Sequence, residues 1–172
     1  KYYETFQRKL KFLEAIEELI KSFPSKTFII RPHPFEKEED YLKLTQNYKN
    51  VKMDKFNTSI KSLSNSSAMV HIDCTTAIEA NYLNIPVLCL SWLKNQENVF
   101  AIASDIGYQA KNNEDAKYFL KNPVYTNNKN ITKNILDFFG DNKKNTIIEI
   151  ENIFKNLIQK YGKRNKKKFL FL

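Results

Sequence analysis

"AMVHIDCTTAIEANYLNIPVLCLSW", residues 68–92, decides the fold class. Ala68 to Asp73 is an apolar run of strand length, and Ile85 to Trp92 is a second one. Between them, "TTAIEANYLN" (75–84) places apolar residues at helical spacing. A strand, a helix and a second strand joined this tightly form a parallel pair, because the helix carries the chain back to its starting edge. "IPVLCLSW" (85–92) reads as another apolar strand.

The same alternation runs outward in both directions. Phe6, Leu10, Leu13, Ile16, Leu19 and Ile20 recur at helical spacing, which predicts an amphipathic helix over 2–22 ending near Pro24. "KTFIIRPH" (26–33) reads as a strand. "EKEEDYLKLTQNYK" (36–49) reads as a helix whose acidic residues fill the first turn, where the helix dipole favours them. "NVKMDK" (50–55) is a short strand, and "NTSIKSLSNSS" (57–67) a short polar helix capped by Asn57 or Thr58. Residues 95–104 are expected to be helical, "IGYQAKN" (106–112) a strand and "NEDAKYFLKN" (113–122) a capped helix. Helices follow at 130–140, stopping at Gly140, and at 144–161. The expected fold is α/β: a Rossmann-like doubly wound parallel sheet with C-terminal helices, forming one domain over 1–162. The chain opens on a helix and on Lys1 rather than Met, so it is expected to be part of something longer.

Composition narrows the classes. Of 172 residues, 42% are hydrophobic and 27% charged, as in ordinary globular domains. No apolar run approaches the roughly 18 residues of a membrane span. Cys74 and Cys89, the two cysteines, both lie in apolar stretches, which suits reduced, buried cysteine in a cytoplasmic protein rather than a disulfide framework. The net charge is +9, and "KRNKKK" (163–168) alone supplies five positive charges. The tail 163–172 ends in "FLFL" and is expected to be frayed and solvated. Peripheral attachment to an anionic membrane surface is its functional alternative. No nucleic-acid-binding motif accompanies the basic residues.

In open parallel sheets ligands bind beyond the carboxyl ends of the strands. One such end is Arg31-Pro32-His33-Pro34. Two prolines fix the turn and remove two amide donors, holding one imidazole in place. Arg31 adds a cation whose planar fork suits phosphate or carboxylate. A second end is Asp73-Cys74-Thr75-Thr76, leading into a helix, and a third is Ser91-Trp92. Thr76 and Glu79 have the spacing of a capping box. Exposed amides at a helix start, with two hydroxyls, also suit phosphate, and Glu79 could instead accept from ribose hydroxyls. His71, inside its strand, is expected to be structural. The three glycines, at 107, 140 and 162, form no phosphate loop and no dinucleotide fingerprint. No zinc-site spacing is present.

"RPHP" (31–34), then "HIDCTTAIEA" (71–80) and "IPVLCL" (85–90), resemble the C-terminal, donor-binding half of a GT-B glycosyltransferase. The chain is similar to the bacterial surface carbohydrate biosynthesis group: capsule Kdo transferases, bacterial polysialyltransferases and CDP-glycerol glycerophosphotransferases. The resemblance spans roughly residues 25–115. It implies that His33 and Pro34 of the His-Pro motif, and Thr75 and Thr76 of the paired Ser/Thr motif, hold the donor's nucleotide and phosphate. With Arg31, Cys74 and Glu79 these are the expected binding residues. It further implies inverting transfer from a CMP-sugar or related donor, without metal or other cofactor, onto a glycan acceptor. In such enzymes the catalytic base lies in an N-terminal acceptor-binding domain, which is expected to lie outside these 172 residues. The implied location is cytoplasmic, or peripheral at the inner membrane.

Two other functions are compatible with the same pattern. A sugar-nucleotide enzyme of the UDP-GlcNAc 2-epimerase type would show Gly-rich and acidic motifs where this chain has Thr-Thr-Ala. A nucleotide-sugar-binding or scaffold module would keep the fold without catalysis. A hydrolase built on Cys74 with His33 or His71 is disfavoured, because Cys74 lacks the flanking glycines of a nucleophile elbow.

Overall fold

A computed structural model of the chain describes residues 2–34, 36–94 and 101–126, together with 152, 155 and 156. The chain divides into two compact units, Lys1–Thr132 and Lys133–Leu172. In the second unit the described residues, Asn152, Lys155 and Asn156, are helical. The expected Gly140 helix stop and the tail 163–172 lie outside the described residues.

The first unit is α/β and Rossmann-like. Its helices are α1 (Tyr2–Ser22), α2 (Glu39–Asn47), α3 (Ser59–Ser64), α4 (Thr76–Tyr82), α5 (Ala101–Ser104) and α6 (Asn113–Lys121). Between them run β1 (Phe28–Ile30), β2 (Val51–Met53), β3 (Met69–His71), β4 (Val87–Leu90) and β5 (Tyr108–Ala110). Every recorded pairing is parallel. β1 pairs β2 with Phe28 opposite Val51, and the order β3-β4-β5 sets His71 opposite Cys89 and Cys89 opposite Gln109. The single sheet expected from the sequence is thus two short ladders among the described residues. They share a core nonetheless: Phe28, Ile30, Val70 and Ile72 pack against a cluster containing Leu19, Ile20, Leu88, Leu90 and Phe119. No described helix is long and apolar enough to cross a membrane.

Local chemistry explains the boundaries. Pro32 ends β1 two residues after Ile30, since it has no N–H for a ladder. Thr58 caps α3, accepting from the Lys61 N–H at 3.3 Å, and Asn112 caps α6, accepting from the Asp115 N–H at 2.9 Å. α4 ends in a Schellman motif: Asn84 takes φ 55°, Ile85 N–H bonds the Ala80 carbonyl at 2.9 Å, and Asn84 N–H bonds that of Asn81 at 3.1 Å. Gly107, at φ 88°, makes the turn into β5. A Cβ there would lie 2.3 Å from the Val87 carbonyl oxygen, so the close approach of β4 and β5 requires glycine.

The stripe of α1 is buried only in its second half. Ala15, Ile16, Leu19 and Ile20 are buried, whereas Phe6 is 52% and Leu10 38% exposed. The first half of the helix reaches the carboxyl ends of the strands, where it makes polar contacts instead.

Candidate binding site at the strand ends

At the end of β1, the Arg31 guanidinium reaches across to β2's exit and donates to the Asn57 carbonyl at 2.5 Å. That loop is built on Asp54. Its carboxylate accepts from the Asn57 N–H at 3.1 Å, the Asn57 side-chain amide at 3.0 Å and the Ser62 hydroxyl. The Ser62 bond, followed by the Asn57 amide, holds the Asp54 carboxyl down to about 2. Arg31 is exposed, and a guanidinium has five N–H donors. One bond to Asn57 therefore orients it without exhausting it.

His33 and Pro34 are exposed on the turn. The His33 N–H donates to Glu36 Oε2 at 2.9 Å, and the His33 carbonyl accepts from the Glu36 N–H at 2.8 Å. Glu36 precedes α2, so it does not serve the first turn of that helix as the acidic run suggested; Glu39 and Asp40 do.

At the end of β3, Asp73 is ion-paired with Arg8 of α1 at 3.1 Å. Cys74, expected to be buried, is exposed, because it lies past the end of β3 in the turn into α4 rather than in a strand; only Cys89 is buried. Thr75 is exposed and Thr76 half-buried. The expected capping box is not formed. The N-cap is Thr75, whose backbone is helical (φ −61°, ψ −22°) and whose side chain makes no capping bond. Thr76 is therefore already inside the helix and Glu79 one position too far along for the reciprocal bond. The Ala77 and Ile78 amides bond the Cys74 and Thr75 carbonyls at 3.0 and 2.9 Å. Donors for an anion at this end are then the Thr75 and Thr76 amides and hydroxyls. Glu79 Oε2 is buried and has no hydrogen-bond partner among the described residues.

His71 is buried, with Nε2 at 3.3 Å from the Ile106 carbonyl. Burial, and secondarily the Lys94 charge, push it down to about 4 against the pull of the Ile106 bond and Asp73. It is a neutral core imidazole, not a base for Cys74. Cys89 Sγ donates to the Ile72 carbonyl at 3.0 Å, and burial pushes its thiol up to about 11. Beyond β4 and β5, Lys94 Nζ is bound by the Ser104 carbonyl at 2.6 Å and by Gln109 Oε1 at 2.7 Å.

Arg8 and Lys9 were not legible as site residues, because two basic residues on a helix ordinarily mean a solvated face. They are consecutive on α1, yet Arg8 contacts Asp73 at the end of β3 and Lys9 contacts Glu36 beside His33 at 3.3 Å. One turn of helix thus flanks two of the three sequence-identified strand ends. A cavity of about 320 Å³ lined by Tyr108, Tyr118, Phe119 and Val124 lies at the amino end of β5, away from these groups.

Comparison with known proteins adds no relative: no family model, no curated protein and no solved structure matches the chain.

Proposed function

We propose that the first unit binds the nucleotide of a CMP-linked or related sugar donor, as the donor half of a metal-independent inverting glycosyltransferase of bacterial surface polysaccharide synthesis. The observation supporting this reading is the pair of strand ends flanked by one turn of α1. Arg31 and His33 stand on one, Thr75 and Thr76 on the other, with Arg8 and Lys9 beside them. α4 has only seven residues, so cations, hydroxyls and amides would meet the phosphate more than a macrodipole would. In the reaction the acceptor oxygen bonds to the anomeric carbon, the bond to the donor phosphate breaks, and its electron pair leaves on the phosphate. Fixed donors stabilise that charge.

A second reading is a nucleotide-sugar-binding module without catalysis. It is favoured by the state of the local carboxylates: Glu36, Asp54 and Asp73 are each engaged by donors or cations. In the transferase reading the base therefore comes from an acceptor-binding domain. A UDP-GlcNAc 2-epimerase-like enzyme has no observation in its favour here.

Calorimetry of the folded chain with CMP, CDP, UDP and cytidine tests the reading. CMP should bind, and Arg31→Ala or His33→Ala should each weaken it by about 10- to 150-fold, as expected for a charge-assisted bond. Cytidine affinity should change little. Absence of binding to all three nucleotides by a folded sample refutes the proposal. Membrane attachment through 163–172 is a separable part: its deletion should abolish binding to anionic vesicles, and equal binding by both chains refutes it.

A further inference from the structure

The polar cluster around Glu36 links the His33 turn to α1 and α2 through Lys9 and Tyr41. Pro32 and Pro34 have no N–H, so between them the His33 amide is the one backbone donor by which the turn can be anchored. Glu36 Oε2 takes that donor at 2.9 Å. Glu36 Oε1 accepts from the Tyr41 hydroxyl at 2.8 Å and lies 3.3 Å from Lys9 Nζ. Lys9 also bonds Asp40 at 2.7 Å and sits 5.0 Å above the Tyr41 ring. The half-buried carboxylate is therefore held from α1, from α2 and from the turn itself. Burial pushes its carboxyl up, but the His33 amide, Tyr41 and Lys9 together hold it below the usual range, so it is ionised at neutral pH.

Glu36 has a different task from the acidic residues beside it. A carboxylate near a phosphate site repels the ligand unless its charge is neutralised and its lone pairs are occupied. Both conditions hold: Lys9 supplies the charge, and the His33 amide and Tyr41 hydroxyl occupy one oxygen each. What the arrangement provides is fixed backbone at the residue whose side chain is exposed at the strand end. Preorganisation of this kind removes the cost of ordering the turn when a ligand arrives.

We propose that Glu36, supported by Lys9 and Tyr41, is a positioning residue that locks the Pro32-His33-Pro34 turn so that the His33 imidazole meets the donor phosphate. This rests on the reading that His33 binds phosphate.

The test uses the full chain with Glu36→Ala, Glu36→Gln and Tyr41→Phe, each also combined with His33→Ala. CMP and cytidine affinities are measured by calorimetry, and His33 amide exchange by NMR. Glu36→Ala should weaken CMP about tenfold while changing cytidine less than about twofold. Glu36→Gln, whose carbonyl still accepts the His33 N–H, should recover most of that loss. In the His33→Ala background Glu36→Ala should have almost no further effect on CMP. An equal loss in both backgrounds, or an equal loss of CMP and cytidine, overturns the proposal, since Glu36 would then act on the fold or on another group. So does unchanged CMP binding by Glu36→Ala while His33→Ala weakens it. If His33→Ala binds CMP as well as the parent chain, the underlying phosphate reading has failed, and the positioning role falls with it. Faster His33 amide exchange in Glu36→Ala would still report the lock by itself. If Glu36→Ala does not fold, Tyr41→Phe, which removes one bond to the carboxylate, gives the same comparison with a smaller loss.

Discussion

Acidification should expose the role of His71. The ring is buried and neutral in the fold, pushed down to about 4 by burial first and the Lys94 charge second. In the unfolded chain it titrates near the ordinary value of about 6.5. As pH falls through 6.5 the unfolded state takes up a proton that the folded state refuses. Stability is therefore lost from about pH 6.5 downward, and the loss is complete near pH 4, where the folded ring protonates too. The difference between about 6.5 and about 4 corresponds to roughly 3 kcal/mol, a large part of the roughly 5–15 kcal/mol that stabilises a typical domain. Carboxylates also titrate in this window, so the measurement is a difference. His71→Gln keeps a donor within reach of the Ile106 carbonyl and cannot titrate. Urea unfolding of both proteins from pH 7.5 to 4, followed by Trp92 fluorescence and circular dichroism, should show the variant gaining on the parent by about that amount. Parallel stability curves would refute the assignment. An imidazole NMR titration for His71 with a midpoint near 6.5 would do the same, and His33→Ala identifies which of the two histidine signals belongs to it.

Gly107→Ala should cost about 2–5 kcal/mol, from the left-handed backbone and a Cβ forced to 2.3 Å from the Val87 carbonyl oxygen; a loss under about 1 kcal/mol by denaturant unfolding would contradict the packing of β4 on β5. The Arg8–Asp73 pair, with side chains 30% and 24% exposed, should show a coupling of at most about 1 kcal/mol in a double-mutant cycle. A coupling well above about 1 kcal/mol, or one of unfavourable sign, would contradict this partly exposed contact between α1 and the end of β3. Cys74 is exposed and Cys89 buried, so an aromatic disulfide reagent should modify one thiol rapidly and the second only on unfolding. Two fast thiols in the folded protein would contradict the placement of β4.

The element order was legible because it depends on local rules. Apolar runs between helical repeats predicted the five strands among the described residues and their parallel pairing, Thr58 was one of two named caps for α3, and "IPVLCLSW" read as an apolar strand, which is buried throughout Val87–Leu90. His71, read as structural, is buried as the last residue of β3, where the residues before it are only partly covered. The capping box at Thr76 and Glu79 did not survive, because spacing alone cannot say where the backbone becomes helical, and it does so one residue earlier. Nor could spacing divide the sheet into two ladders, since ladder pairing depends on how strands far apart in sequence approach one another. Arg8 and Lys9 were invisible for the same reason. On a linear chain they are two solvated cations. Only tertiary structure carries α1 across 65 residues of sequence to Asp73, and brings Lys9 onto Glu36, which also binds Tyr41 five residues along and the amide of a histidine whose neighbours offer none of their own.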